Sequence, residues 1–253
     1  MRLIIITQNE PFYLSQNLNY LINNLKNDHE LVGVVISDVS PFGKKESFIK
    51  KALKTKKIFG LKFFIYYSLK FIYSKIFKTS VRTLLNKYNI PEIIIEGSIN
   101  SVKNIELIKS YNPDLLISIL GNQIFKKSLL DLAPKGCINL HTAMLPKYRG
   151  LMPTFWVLKN NEKFTGVSVF FVDEGIDSGP IIVQEKVEIG NLTQAQLIMQ
   201  TKKIGMELIV KAVNLISANN IVLIPNPESE KSYFSFPSQK DVIEFEKNGK
   251  KFF

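Results

Sequence analysis

Residues 137–150 read CINLHTAMLPKYRG. Cys137, Ile138 and Leu140 form a short apolar run that carries Asn139 and His141 at alternate positions and ends at Leu145-Pro146 and Gly150, which signal a turn. Side chains alternate across a strand, so Asn139 and His141 point to the same side. DLLISIL (114–120), just upstream, reads as another short buried strand. In open parallel sheets ligands bind at the carboxyl ends of strands. His141, one of only two histidines in the chain, sits at such an end.

The pattern extends outward. RLIIIT (2–7), LVGVVIS (31–37) and EIIIEG (92–97) read as strands, being short β-branched apolar runs. Leu14, Leu18, Leu21, Ile22 and Leu25 recur at helical spacing, and SVKNIELIKSYNP (101–113) reads as a helix with Ser101 as N-cap and Pro113 as stop. TGVSVFFVD (165–173) and PIIVQEKVEI (180–189) read as an antiparallel pair. Thr193 and Gln196 form a capping-box pattern before a helix of roughly six turns. Strands alternating with helices predict an α/β chain with a mainly parallel twisted sheet covered on both faces. The tail changes character, with turn residues, a short aromatic strand and a short helix. A boundary near 220 therefore divides a catalytic domain (1–219) from a small C-terminal appendage (220–253).

The 253 residues suffice for one large α/β domain. A single cysteine, Cys137, excludes an intramolecular disulfide and any CxxC metal site, which points to a reducing compartment. The N-terminal apolar run is too short for a signal peptide, and no stretch has the length of a bilayer span. A cytoplasmic location is expected. The formal charge is +11, but only three of the 33 basic residues are arginine, and lysine-rich composition says little about partners. Its distribution says more: residues 44–78 hold eleven lysines and one acid, Glu46. Lysines alternate there with Phe, Ile, Leu and Tyr. The preferred reading is helices packed on the core with lysines reaching solvent. Contact with an anionic membrane ranks second, and nucleic acid last, because no stacking platform for bases is evident.

His29, in KNDHELVG, reads as a solvated turn residue. His141 can gain and lose a proton near neutral pH, and the amide of Asn139 can stabilise an oxyanion, a pairing suited to acyl transfer. Alone, the two read equally well as a structural pair. A second motif decides: FFVDEGIDSGPII (170–182) sets Asp173, Gly175, Asp177, Gly179 and Pro180 about thirty residues downstream. By itself it reads as a loop rich in turn formers. Together, N-x-H-x-x-x-L-P and D-x-G-x-D-x-G-P resemble the formyltransferases that use 10-formyltetrahydrofolate, over roughly residues 90–190, with the first 40 residues similar in architecture only.

The resemblance implies a Rossmann-like fold, a catalytic trio of Asn139, His141 and Asp177, and 10-formyltetrahydrofolate as co-substrate without a metal. It implies folate contacts from Ile119, Leu120, Gly121, Asn122, Gln123 and Ile124, and from Phe171, Val172, Asp173, Gly175 and Asp177. Trp156 reads as core packing. Enzymes of this family that act on glycinamide ribonucleotide carry a Gly-Ser-Asn phosphate loop after the first strand, whereas ITQNEPFYLSQN here has no glycine. Those that act on methionyl-tRNA carry a C-terminal tRNA-binding domain, whereas a single helix and a short tail follow residue 190 here. The resemblance is therefore greatest to sugar N-formyltransferases. These act on dTDP- or UDP-linked amino-6-deoxyhexoses for surface polysaccharide such as O-antigen. The alternatives are a tRNA formyltransferase-like enzyme lacking the tRNA-binding domain, and a non-catalytic relative that binds folate or sugar nucleotide. No nucleic-acid partner is expected, and a homodimer is left open.

Overall fold

The computed structural model describes residues 1–25, 27–37, 47–77, 80–121 and 123–253. Seven strands form one twisted sheet in the order β3 (Glu92–Ile93), β2 (Glu30–Ser37), β1 (Arg2–Gln8), β4 (Leu115–Ile119), β5 (Cys137–His141), β7 (Phe164–Phe171) and β8 (Ile181–Glu188). The first five are parallel; β7 runs antiparallel to β5, and β8 to β7. The α/β expectation with a mainly parallel sheet holds.

The apolar strands are continuous rather than alternating because both faces are covered. In β1, Leu3 and Ile5 join one core cluster with Leu14, Leu18 and Leu21 of α1 (Leu14–Leu25), while Ile4 and Ile6 join a second with Ile108 of α4 (Val102–Lys109). The first layer also contains α3 (Val81–Tyr88) and the long α7 (Gln194–Ser217). Thr193 and Gln196 close the expected capping box on α7, and Ser101 caps α4. Gly205 of α7 lies directly over Leu140 of β5, and a Cβ there would press into the leucine side chain at 2.7 Å. Helix and strand approach closely because that position is glycine.

Three expectations change. Of the strand read over 92–97, only Glu92–Ile93 pair, because Ile94 turns to solvent and the chain reverses at Gly97 (φ +71°) into α4. Asn104 of α4 secures the turn by donating to the carbonyls of Glu96 and Ser98. His29 is not solvated. It is buried between the N-terminal amine (3.4 Å from Nδ1) and Asn214 of α7 (3.1 Å from Nε2). The basic segment is helical, as α2 (Phe48–Ile76), but breaks at Gly60 (φ +81°). It covers the core with Phe59 and Phe63 and leaves its opposite side apolar and exposed, so packing accounts for one face only. Residues 44–46 and 78 lie outside the described residues.

The tail folds back over the first layer. β6 (Arg149–Gly150) pairs in parallel with β9 (Tyr233–Phe234), and α8 (Gln239–Lys247) packs near α6 (Pro153–Lys159). Phe155, Phe245 and Phe252 stack with centroids 4.5–6.3 Å apart. Trp156 is buried as expected, stacked on Phe234 with Nε1 donating to the Ser235 carbonyl. Because Phe245 shares the core of the sheet, Phe245→Ala should lower stability by about 3–5 kcal/mol. Chemical denaturation followed by far- and near-UV circular dichroism should then show one coincident, earlier transition.

Candidate active site

The pleat of β5 sorts its residues. Ile138 packs under the α1–α7 layer, while Cys137 packs in the opposite cluster; Asn139 and His141 share the face of Cys137. Cys137 is fully buried, and burial pushes its thiol pKa well up, so it acts as a core residue and not as a nucleophile. Asn139 lies beside Ser118 of β4 and Phe170 of β7. His141, only 6 % exposed, lies beside Ser168.

Ser168 pins the turn that follows. Its hydroxyl donates to the Ala143 carbonyl (2.7 Å) and accepts from the Leu145 amide (3.2 Å), and Gln184 bridges Ser168 and the Leu145 carbonyl. The Leu145-Pro146 peptide is cis. The turn brings the Tyr148 carbonyl to 2.7 Å from His141 Nε2. A carbonyl only accepts, so Nε2 carries the hydrogen and donates it. Nδ1 then faces Asp177 Oδ2 at 3.6 Å. The Nε2 side is thus held by a hydrogen bond, while the Nδ1 side faces a carboxylate across a gap too long for one.

Asp177 reaches His141 by an indirect path. β7 ends beside the start of β5, where Phe171 pairs with Ile138 and the Val172 amide donates to the Cys137 carbonyl. The loop must return along the sheet. Asp173 Oδ1 accepts from the Gly175 amide and the Ser178 hydroxyl, Gly179 passes against the Phe171 carbonyl where no Cβ fits, and Asp177 adopts φ +49°. Asp177 Oδ2 accepts the Gly150 amide at 2.8 Å. Asn226, from the tail, donates to the carbonyls of Asp177 (2.9 Å) and Gly179 (2.8 Å) and accepts from Arg149 Nη2. Arg149 is buried and also pairs with Glu228, whose carboxyl Lys231 and then Arg149 hold below the usual range. Ser232 receives the Tyr148 amide on its hydroxyl and the Arg149 amide on its carbonyl. Sequence reading missed Asn226, Arg149, Ser232 and Ser168. Asn226 and Ser232 stand far from the motifs in the chain, and Ser168 lies just before the second; Arg149, inside the turn of the first, was the one available signal.

The structure thus brings His141 and Asp177 together, with Asn139 on the face of His141. The other expected residues divide into two groups. Ile119 and Leu120 (φ +61°) end β4 beside β5, their carbonyls accepting from Thr7 and Gln8 of β1. Gly121 packs against Ser118; Gln123 accepts the Ile99 amide, and Ile124 is exposed, its carbonyl receiving Asn100. Asn122 lies outside the described residues. Phe171, Val172, Asp173 and Gly175 instead line a cavity with Cys137 and Lys127, near the start of β5. Only Asp177 of that loop returns to the histidine.

The loop from β1 to α1 forms a second polar corner. Glu10 Oε1 and Oε2 accept the amides of Phe12 (2.7 Å) and Tyr13 (3.0 Å). Lys202 of α7 lies 3.9 Å from Glu10, and burial pushes its ammonium pKa down, with Glu10 the opposing influence. Asn9 Oδ1 is buried and has no hydrogen-bond partner among the described residues.

A family model described as "Formyl transferase" matches residues 79–213, just over half of the chain, including Asn139, His141 and Asp177. The chain belongs to the formyl transferase family. Among curated family members, methionyl-tRNA formyltransferase of Kosmotoga olearia is 35 % identical over 182 residues, covering 71 % of this chain and 58 % of that one. The chain thus spans little more than half the length of that relative. Among solved structures, WlaRD, a sugar 3N-formyl transferase in the presence of dTDP and 5-N-formyl-THF, superposes with a TM-score of 0.58 at 20 % identity, covering 93 % of this chain and 69 % of that one. Phosphoribosylglycinamide formyltransferase of Anaplasma phagocytophilum superposes with a TM-score of 0.65 at 16 % identity, covering 94 % and 99 %. These likenesses establish the shared fold.

Tyr148 supplies a pH readout for the turn. Burial first, and then the hydrogen bond it donates to Glu162, push its phenol up to about 12. A folded-state pKa above the unfolded value near 10 means that this stabilisation is complete below about pH 10 and is lost as pH rises through about 12. Denaturation curves over that range should show wild type losing stability relative to Tyr148→Phe. Parallel curves for the two would remove Tyr148 from the linkage.

Proposed function

We propose that this member of the formyl transferase family is an N-formyltransferase that moves the formyl group of 10-formyltetrahydrofolate to the amine of a nucleotide-linked amino sugar. The observation that carries the reading is the His141–Asp177 approach at the end of β5, with Asn139 on the same face. Attack of the amine nitrogen on the formyl carbon makes a tetrahedral centre bearing an oxyanion. Asn139 donates its amide to that oxygen, and His141 in its doubly protonated form adds positive charge. Asp177 accepts the proton that the attacking nitrogen loses, and a proton returns to N10 of the folate as the carbon–N10 bond breaks. The 3.6 Å gap leaves Asp177 unconsumed by the imidazole, while the Gly150 amide holds its carboxylate in place.

For the co-substrate, the reading assigns the backbone of 119–124 and 171–177. The cavity beside Cys137 supports the second part of this assignment only, because Phe171, Val172, Asp173 and Gly175 line it and residues 119–124 do not. For the acceptor, Glu10 matters most. Its carboxylate already occupies the amides of Phe12 and Tyr13 in the turn before α1, so a phosphate there would meet an anion. This argues against a ribonucleotide phosphate at that corner. A sugar carried on a nucleotide diphosphate agrees with the dTDP named for WlaRD. A tRNA acceptor is the second reading, favoured by the sequence likeness to the Kosmotoga olearia protein. The assay is steady-state turnover with 10-formyltetrahydrofolate and initiator methionyl-tRNA, glycinamide ribonucleotide or a panel of dTDP- and UDP-amino sugars, read by the mass gain of one formyl group. Turnover confined to the sugar panel is expected; turnover of either other acceptor with no sugar accepted would sink the reading.

Asn139→Ala should lower kcat by about a hundredfold or more, the range for loss of one oxyanion donor. Its melting temperature should stay near that of wild type, because the Asn139 side chain is only partly buried. A folded variant with wild-type kcat would remove Asn139 from the mechanism.

A further inference from the structure

Helix α2 is apolar on both sides. One side does ordinary packing work: Phe59 and Phe63 stack 4.5 Å apart and meet Phe252 edge-on, and Tyr66 stacks on Phe253 at 3.9 Å. The other side, beyond the break at Gly60, carries Leu61, Ile65, Leu69, Ile72 and Ile76, spaced by four, four, three and four residues. That spacing draws one stripe along a helix. These five side chains are 49–68 % exposed, in a position where a helix covering a core normally presents polar residues. Single exposed leucines are commonplace, but a continuous stripe marks an interaction face.

The charge around the stripe selects its occupant. Residues 47–77 contain eight lysines and no aspartate or glutamate. Where α8 and the chain end adjoin the Gly60 break, Lys250 and Lys251 stand with a single Glu246. A second copy on this face would set one lysine-rich helix against another. An anionic bilayer complements both features, because its acyl boundary takes the apolar stripe and its headgroups take the lysines. The helix would lie on such a surface and not cross it, since no helix among the described residues is long and apolar enough to span a membrane.

We propose that α2 docks the protein on an anionic lipid surface, the stripe Leu61–Ile76 lying in the interface and the lysines of Lys50–Lys57 engaging the headgroups. This combines two signals, a modest apolar insertion and a polybasic patch, neither of which holds a protein firmly alone.

The test is co-sedimentation of the full chain with vesicles of phosphatidylcholine containing 30 % phosphatidylglycerol, against pure phosphatidylcholine, at 0.15 and 1 M NaCl. Two variants are compared with wild type: one with Ile65→Ser and Leu69→Ser, the other with Lys50, Lys51, Lys54, Lys56 and Lys57 changed to Gln. All seven positions are only partly buried or exposed, so both variants should fold, and circular dichroism checks this. Wild type should bind only the anionic vesicles, more weakly at high salt. Each variant should lower the partition coefficient by about tenfold or more. Three results would overturn the proposal. One is no binding to anionic vesicles at 0.15 M NaCl. Another is binding that survives Ile65→Ser/Leu69→Ser, which would make it lysine electrostatics alone. The last is a dimer in light scattering at micromolar concentration that this same variant dissociates, which would make the stripe an interface between copies. Since the readout is sedimentation and not turnover, its failure is independent of the formyl-transfer reading.

Discussion

The amide of Gly150 on the carboxylate of Asp177, at 2.8 Å, is the contact on which the site depends. Without it the loop after β7 has no reason to carry Asp177 back to His141, because β7 delivers the chain to the far end of β5. Gly150 makes this contact at φ +96°, with the Phe234 carbonyl so near that a Cβ would collide with it. The position demands glycine for both reasons. Asn226 then braces the other side of the loop through two carbonyls, and Arg149 holds Asn226. Arg149 is itself buried, so its guanidinium relies on these partners in place of water. The loop that carries the acid is thus tied to a buried arginine one residue before the amide that orients it.

This arrangement makes the C-terminal segment part of the site's support. Asn226, Glu228 and Ser232 come from a stretch that composition sets apart from the rest of the chain. They hold Asp177, Arg149 and Tyr148, while Phe245 and Phe252 of the same segment enter the core of the sheet. Rigidity at His141 and packing of the tail therefore have one origin. A catalytic constellation needs its supporting residues locked by packing, and here aromatic stacking over Phe155 supplies the lock.

Lys202 and Glu10 form a second polar corner. Burial of Lys202 in α7 pushes its ammonium pKa down, and Glu10, 3.9 Å away, opposes that shift while also accepting the amides of Phe12 and Tyr13. One carboxylate thus faces the turn before α1 and a buried ammonium together, and it gives this end of the β1–α1 loop a negative rather than a phosphate-seeking character. Asn9 Oδ1, next along the chain, is buried with no hydrogen-bond partner among the described residues.

The alternation of Asn139 and His141 on an apolar run, the strands of β1, β2, β4, β7 and β8, and the capping box at Thr193 were all legible in the chain. Each rests on local periodicity or on a cap that acts within one helical turn. The spacing of the two motifs also marked Asp177. The approach of Asp177 to His141 was implied by the family resemblance alone; no local pattern shows it, since it depends on a reversal of the loop and on partners about thirty and fifty residues away. The burial of His29 depends likewise on Asn214, 185 residues distant. The shortness of β3 followed from the outward turn of Ile94 and the reversal at Gly97, and the two-sided character of α2 from which face the core took. Sequence periodicity determines that α2 is helical and apolar; only the packing of Phe59, Phe63 and Tyr66 against the chain end decides which side is left to solvent, because a helix that is apolar all round has no intrinsic inside.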